Sequence, residues 1–189
     1  MVWNKAGSTT LGSAGDDLDI TSMTANKFSQ YMIHKIASGN AQIDLKFNNS
    51  SSSDYARRSS YNGASDATGT SQTALNIHNN KTTDDFFVLC LADISGEEKL
   101  GIMFNVNGYT AGAGTAPERQ EFVIKSSSTT NITRVDLNNS DTGNYDTDSN
   151  LTVLGSDGTE SLNVQDGAIY YDTDLNKEYV LYNNTWTEL

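Results

Sequence analysis

Phe86-Phe-Val-Leu-Cys-Leu-Ala-Asp-Ile-Ser-Gly-Glu-Glu-Lys-Leu-Gly-Ile-Met-Phe-Asn-Val-Asn107 decides the fold class. Two apolar runs, Phe86 to Ile94 and Lys99 to Asn107, flank the polar tetrapeptide Ser95-Gly-Glu-Glu98. Aromatic and β-branched residues fill both runs, and Gly96 can take the positive φ that a tight connection requires, so the segment predicts a β-hairpin. Leu100, Ile102, Phe104 and Val106 alternate with other residues and supply one face of the second strand. Cys90, the only cysteine, lies inside the first run. It is expected to be a small buried hydrophobe rather than a nucleophile, since neither His34 nor His78 sits in a nucleophile motif.

Working outward, further strands are predicted at short intervals. Asp17 to Ile20 is brief. Lys27 to Ala37 is long, with Phe28, Met32, His34 and Ile36 on one face and Tyr31, Ile33 and Lys35 on the other. Ile43, Leu45 and Phe47 alternate strictly with Gln42, Asp44 and Lys46, the pattern of a half-buried strand. Tyr55 to Tyr61, Ala74 to Ile77, Gln120 to Lys125, Ile132 to Asn138 and Leu151 to Leu154 complete the series, with a polar loop expected from Asn62 to about Thr73. Eight to ten strands at roughly 8–12-residue spacing, without a helix, predict an all-β fold, an antiparallel β-sandwich or jelly roll. The sandwich is assigned to residues 1–155 and a patternless linker to 156–166. Residues 167–189 then form a small C-terminal β-hairpin or meander, with turns at Asp172 to Lys177 and Asn183 to Thr185.

Composition narrows the function. Ser, Thr and Asn make up about a third of the chain. Nine Tyr, six Phe and two Trp in alternating runs nevertheless argue for a folded β protein with polar loops rather than for disorder. Twelve basic residues against 24 acidic ones give a net charge of −12. That balance argues against a nucleic-acid partner, which needs clustered Lys and Arg. Arg57-Arg58 is the one close basic pair and reads as a solvated strand edge. No run is long enough to span a membrane, and the N-terminus has no secretory signal. Phosphate-loop, dinucleotide, nucleophile-elbow and zinc patterns are absent, so the chain is read as a non-enzyme with no cofactor.

Three residue groups remain as site candidates. Asp146-Thr-Asp-Ser-Asn150 starts like a calcium loop, through Asp146, Asp148 and Asn150, but lacks the glycine at the sixth position and the bidentate Glu at the twelfth. Turn formation is the alternative reading for it, as for Asp172-Thr-Asp-Leu-Asn176. Tyr109 and Tyr145 are candidate contacts for a glycan, together with Trp3 and Trp186, because aromatic rings stack on sugars. The competing role for each is packing. Tyr170, Tyr171, Tyr179, Tyr182 and Trp186 crowd the C-terminal ribbon. Two or three strands bury too little to stand alone in water, so these residues are expected to dock on another surface or another copy.

Five segments carry a resemblance. Thr10-Leu-Gly-Ser-Ala-Gly-Asp16, Thr83-Asp-Asp-Phe-Phe87, Ile94-Ser-Gly-Glu-Glu-Lys-Leu100, Thr110-Ala-Gly-Ala-Gly-Thr-Ala-Pro-Glu-Arg119 and Asn150-Leu-Thr-Val-Leu-Gly155 resemble a β-sandwich module of tailed-virus structural proteins. The C-terminal ribbon is similar to ribbons of phage fibre and appendage proteins. The resemblance implies a virion location, reached from the host cytoplasm, and a homo-oligomer, with a trimer favoured. It implies partners such as the capsid shell or tail, and carries over no catalytic residue. Because the sandwich starts within the first twenty residues, a capsid decoration subunit or a fibre tip is expected rather than a whole fibre. A glycan-binding, host-receptor module is the alternative, and a polysaccharide hydrolase a more distant one.

Overall fold

The strict alternation at Gln42 to Phe47 does what period-two patterning dictates: Ile43, Leu45 and Phe47 point into a core and the polar residues point out. The same rule shapes the whole chain. The computed structural model describes residues 3–108, 112–157, 167–183 and 185–189, with backbone only for 78–81, and every regular element among them is a β-strand. The chain divides into two compact units, Met1–Gly158 and Thr159–Leu189.

The first unit contains β1 (Asn4–Thr10), β2 (Asp17–Ile20), β3 (Phe28–Lys35), β4 (Ala37–Ser38), β5 (Ala41–Phe47), β6 (Tyr55–Tyr61) and β7 (Ala67–Gln72). It continues with β8 (Leu75–Lys81), β9 (Asp85–Ala92), β10 (Lys99–Asn107), β11 (Glu118–Ser126), β12 (Val135–Asn138), β13 (Asn144–Tyr145) and β14 (Asn150–Ser156). An eight-stranded sheet runs β1-β14-β3-β9-β10-β11-β6-β7, and a four-stranded sheet runs β2-β12-β5-β8. All pairings are antiparallel, and β13 with β4 makes a short two-stranded clasp. Tyr31, Ile33, Phe87, Leu89, Met103, Phe122, Leu151 and Val153 of the large sheet share one core with Leu18, Ile43, Leu45, Phe47, Leu75, Val135 and Leu137 of the small one. The result is an all-β sandwich.

The predicted hairpin is present, with β9 and β10 paired from Leu100↔Ala92 to Asn107↔Asp85 and Gly96 at φ 82°. Two expectations are corrected. The polar loop from Asn62 contains β7, an edge strand whose Ala-Thr-Gly-Thr-Ser-Gln sequence has no apolar alternation to announce it. Arg57-Arg58 is not at an edge, because β6 lies between β11 and β7 and turns Arg57 inward and Arg58 outward. β14 extends to Ser156, one residue beyond the assigned domain boundary, while 158–166 of the assigned linker lies outside the described residues.

The second unit is a meander of β15 (Ile169–Asp172), β16 (Lys177–Tyr182) and β17 (Thr185–Glu188). Asp172 forms its first turn by accepting hydrogen bonds at Oδ1 from the backbone of Asp174 and Leu175, both at 3.0 Å. Asn176 and Asn183 take the left-handed φ values of 54° and 48° that these turns require.

Candidate docking surfaces

The inner face of the large sheet is polar at both ends of its central strands. At one end Lys35 of β3 meets its cross-strand neighbour Asp85 of β9 at 2.5 Å, and Asp85 also accepts from the Asn107 amide at 2.6 Å. At the other end Lys99 of β10 pairs with Asp93 at 3.0 Å and donates to the Ile94 carbonyl at 2.7 Å. Asp93 in turn accepts from the Ile132 backbone at 2.8 Å. All four charged side chains are shielded from water. Between the ends, Gly101 sits where a Cβ would come within 2.9 Å of Ile124, Leu89 and Leu91, so only glycine lets these side chains close over the strand.

Since Lys99, Gly101, Met103, Asn105 and Asn107 point inward, the apolar alternates of β10 must point outward. Leu100, Ile102 and Phe104 are 56, 51 and 55 % exposed, and Val106 lies on the same side. Register places Ala92, Cys90, Val88 and Phe86 of β9 beside them in order, with Val123 of β11 against Ile102. Phe28 and Met32 of β3 extend the field past β9. Trp3, Phe28, Cys90, Leu100, Ile102 and Val123 line a depression of about 640 Å³ in this face. One expectation falls here: Cys90 is exposed rather than buried. The face formed by Leu100, Ile102, Phe104 and Val106 is the outer one. Alternation fixes which residues share a face; register sets Gly101, Met103 and Asn105 beside the buried Leu91, Leu89 and Phe87 of β9.

The small sheet's outer face is polar and charged, with Asp136 on it shielded from water. It carries Asp19, Asp136 and Lys46 in one row and Asp17, Asn138 and Asp44 in the next. Arg134 ties Asp136, through Nε at 2.5 Å, to Asp19 at 3.3 Å. Burial, followed by the nearby charges of Asp136 and Asp17, pushes the Asp19 carboxyl up to about 6.

In the ribbon the five predicted docking residues separate by face. Tyr170 stacks on Tyr179 at 5.1 Å and meets Trp186 edge-on at 4.8 Å, while Leu181 beside Trp186 is buried. Tyr171 and Tyr182 lie on the opposite face with Ile169 and Val180, and Ile169, Tyr171 and Tyr182 are exposed. Lys177 and Glu188, 2.7 Å apart, close the edge of the first face. The ribbon is therefore apolar on both sides.

Other candidates resolve differently. Tyr145 is 1 % exposed and donates its hydroxyl to the Gln42 carbonyl at 3.0 Å. It cannot stack on a sugar, and its burial beside Asp44 and Asp17 pushes its pKa well up. Tyr109 lies outside the described residues. Asp146 accepts from the Thr147 backbone at 2.7 Å and Asp148 takes φ 68°, both in the turn before β14. Asn150 donates to the Thr9 carbonyl and the Thr10 hydroxyl at 3.0 and 2.6 Å, holding β1 to β14. Among the described residues no three His, Cys, Asp or Glu side chains are grouped to hold a metal ion. No family model, curated protein or solved structure matches the chain.

Proposed function

We propose that this chain is a non-enzymatic structural protein of a tailed-virus surface, a capsid decoration subunit or tail-appendage module, whose task is assembly. The observation that supports this best is the two-faced ribbon: a three-stranded unit with exposed Ile169, Tyr171, Tyr182 and Trp186 buries too little of itself to be the purpose of its own fold. A homo-oligomer, a trimer as the resemblance implies, gives those side chains a surface. Antibody labelling of intact particles in the electron microscope tests the reading, with label expected either periodically over the shell or confined to the tail. Purified particles lacking the chain would refute it.

A second reading, a glycan-binding module, draws on a different feature. Arg57, Ser59, Tyr61, Asn76, Gln120 and Phe122 line a cleft of about 170 Å³, mixing hydroxyl, amide and guanidinium groups with aromatic rings. Binding on a glycan array that disappears with Arg57→Ala, while the fold persists, would favour it.

A further inference from the structure

We infer that the outer face of the eight-stranded sheet is an interface with a second copy of this chain, packed sheet face on sheet face. The contrast within one molecule carries the argument. The small sheet turns Asp17, Asp19, Asp44 and Lys46 away from the core, whereas the large sheet turns Leu100, Ile102, Phe104 and Val123 to solvent. The inner face of the same sheet is already apolar through Tyr31, Phe87, Leu89 and Phe122, so the sheet is apolar on both sides, and exposed apolar area is unfavourable. The arrangement makes sense when the outer face is also an interior.

Size and charge identify the occupant. Six strands, β14, β3, β9, β10, β11 and β6, present four outward rows each or nearly so. At ordinary strand and same-face spacings that is a field about 29 Å by 27 Å, or about 800 Å². It equals one side of a standard stable protein interface, with an apolar centre and a polar rim. A depression that held only a small ligand would leave most of this area bare. Charge is densest on one flank, where Lys125, Glu121 and Arg119 of β11 and Arg58 of β6 point outward. On the other flank Gln30 and His34 of β3 and Thr152 and Asn150 of β14 are polar, and Lys5 of the edge strand β1 lies beside Leu154. A two-fold axis along the strands between β9 and β10 lays each copy's charged flank over its partner's polar one. It also sets β10 of each copy over β9 of the other, so that the apolar rows meet. This interface does not rest on the ribbon reading, and a two-fold here is compatible with a separate assembly at the ribbon.

Cys90, in the middle of the field and the only thiol, reports on it directly. The test uses the full-length protein at about 1 µM and about 100 µM, with sedimentation for mass and N-ethylmaleimide for thiol access. Alkylation is expected to slow about tenfold at the higher concentration. Ile102→Asp, at an exposed position and checked for an unchanged circular dichroism spectrum, should halve the assembled mass and restore fast alkylation. Trp186→Ser serves as the ribbon control and should leave Cys90 protection intact at the higher concentration. Equal mass for wild type and Ile102→Asp, or equal alkylation at both concentrations, overturns the inference. Cys90 protected at every dilution also overturns it, since a segment of the same chain or a bound apolar molecule would then be the cover.

Discussion

Lys35 and Asp85 face one another across β3 and β9, both almost fully shielded from water. Their attraction offsets the desolvation of two charges only while both are present. Lys35→Met should therefore cost about 3–5 kcal/mol, because it leaves Asp85 buried without its counter-charge, with the Asn107 amide still donating to it. Adding Asp85→Asn should recover most of that loss in urea unfolding; a double variant as unstable as the single would mean that packing rather than charge sets the cost. Asp19 presents the opposite case, a carboxyl that the fold makes harder to ionise, with its pKa raised from 3.8 to about 6. An acid whose folded pKa lies above its unfolded value adds stability that is complete below the unfolded value and is lost as pH rises through the folded one. The melting temperature of the wild type should thus fall relative to that of Asp19→Asn as the pH rises from below 3.8 through about 6. Parallel melting curves for the two proteins across that range would refute this assignment.

At the scale of elements, legibility depended on whether a strand carries its own apolar alternation or turn chemistry. β5 and the β9–β10 hairpin were readable because alternation and turn chemistry are local properties. β7 was not, since Ala-Thr-Gly-Thr-Ser-Gln has no apolar period and is held by pairing with β6. The orientation of β10 was also out of reach, for a subtler reason. Its two faces, Leu100-Ile102-Phe104-Val106 and Lys99-Met103-Asn105-Asn107, invite hydrophobicity to place the first inside. The second nevertheless lies beside the buried Phe87, Leu89 and Leu91 of β9 and Phe122 and Ile124 of β11, partners that register supplies only once the sheet has formed. Cys90 went wrong with it, by sharing the outward row of Ile102. Among the site candidates the ribbon aromatics were legible as a group, but their division between two faces needed the β15–β16–β17 register. The Asp146 cluster shows an element-level role that its calcium-like spacing concealed, since Asn150 clamps the edge strand β1 through two side-chain hydrogen bonds. Asn150→Ala should destabilise the protein by about 1–2 kcal/mol. Amide exchange should accelerate in β1 well before β3 or β9, and uniform acceleration across the large sheet would contradict a local clamp.

For the whole molecule, the two units differ in how far each can satisfy its own apolar residues. The sandwich has a shared core drawn from both sheets, whereas the ribbon buries Leu181 and leaves Tyr171 and Tyr182 uncovered behind the Tyr170–Tyr179–Trp186 cluster. An aromatic cluster of this kind contributes about 0.5–1.5 kcal/mol per pair beyond burial, which is too little to hold three strands against chain entropy unaided. The proposed assembly would support the ribbon more than the sandwich, and dilution should then separate the two. In a Trp3→Phe background the remaining tryptophan is Trp186, so its emission reads the ribbon alone. Diluting this full-length variant from about 100 µM to about 0.1 µM should shift that emission to the red as copies dissociate, while the β signal of the sandwich in far-ultraviolet circular dichroism stays unchanged. Mass that falls on dilution without any change in Trp186 emission would show that the ribbon is stable by itself and is not what joins one copy to the next.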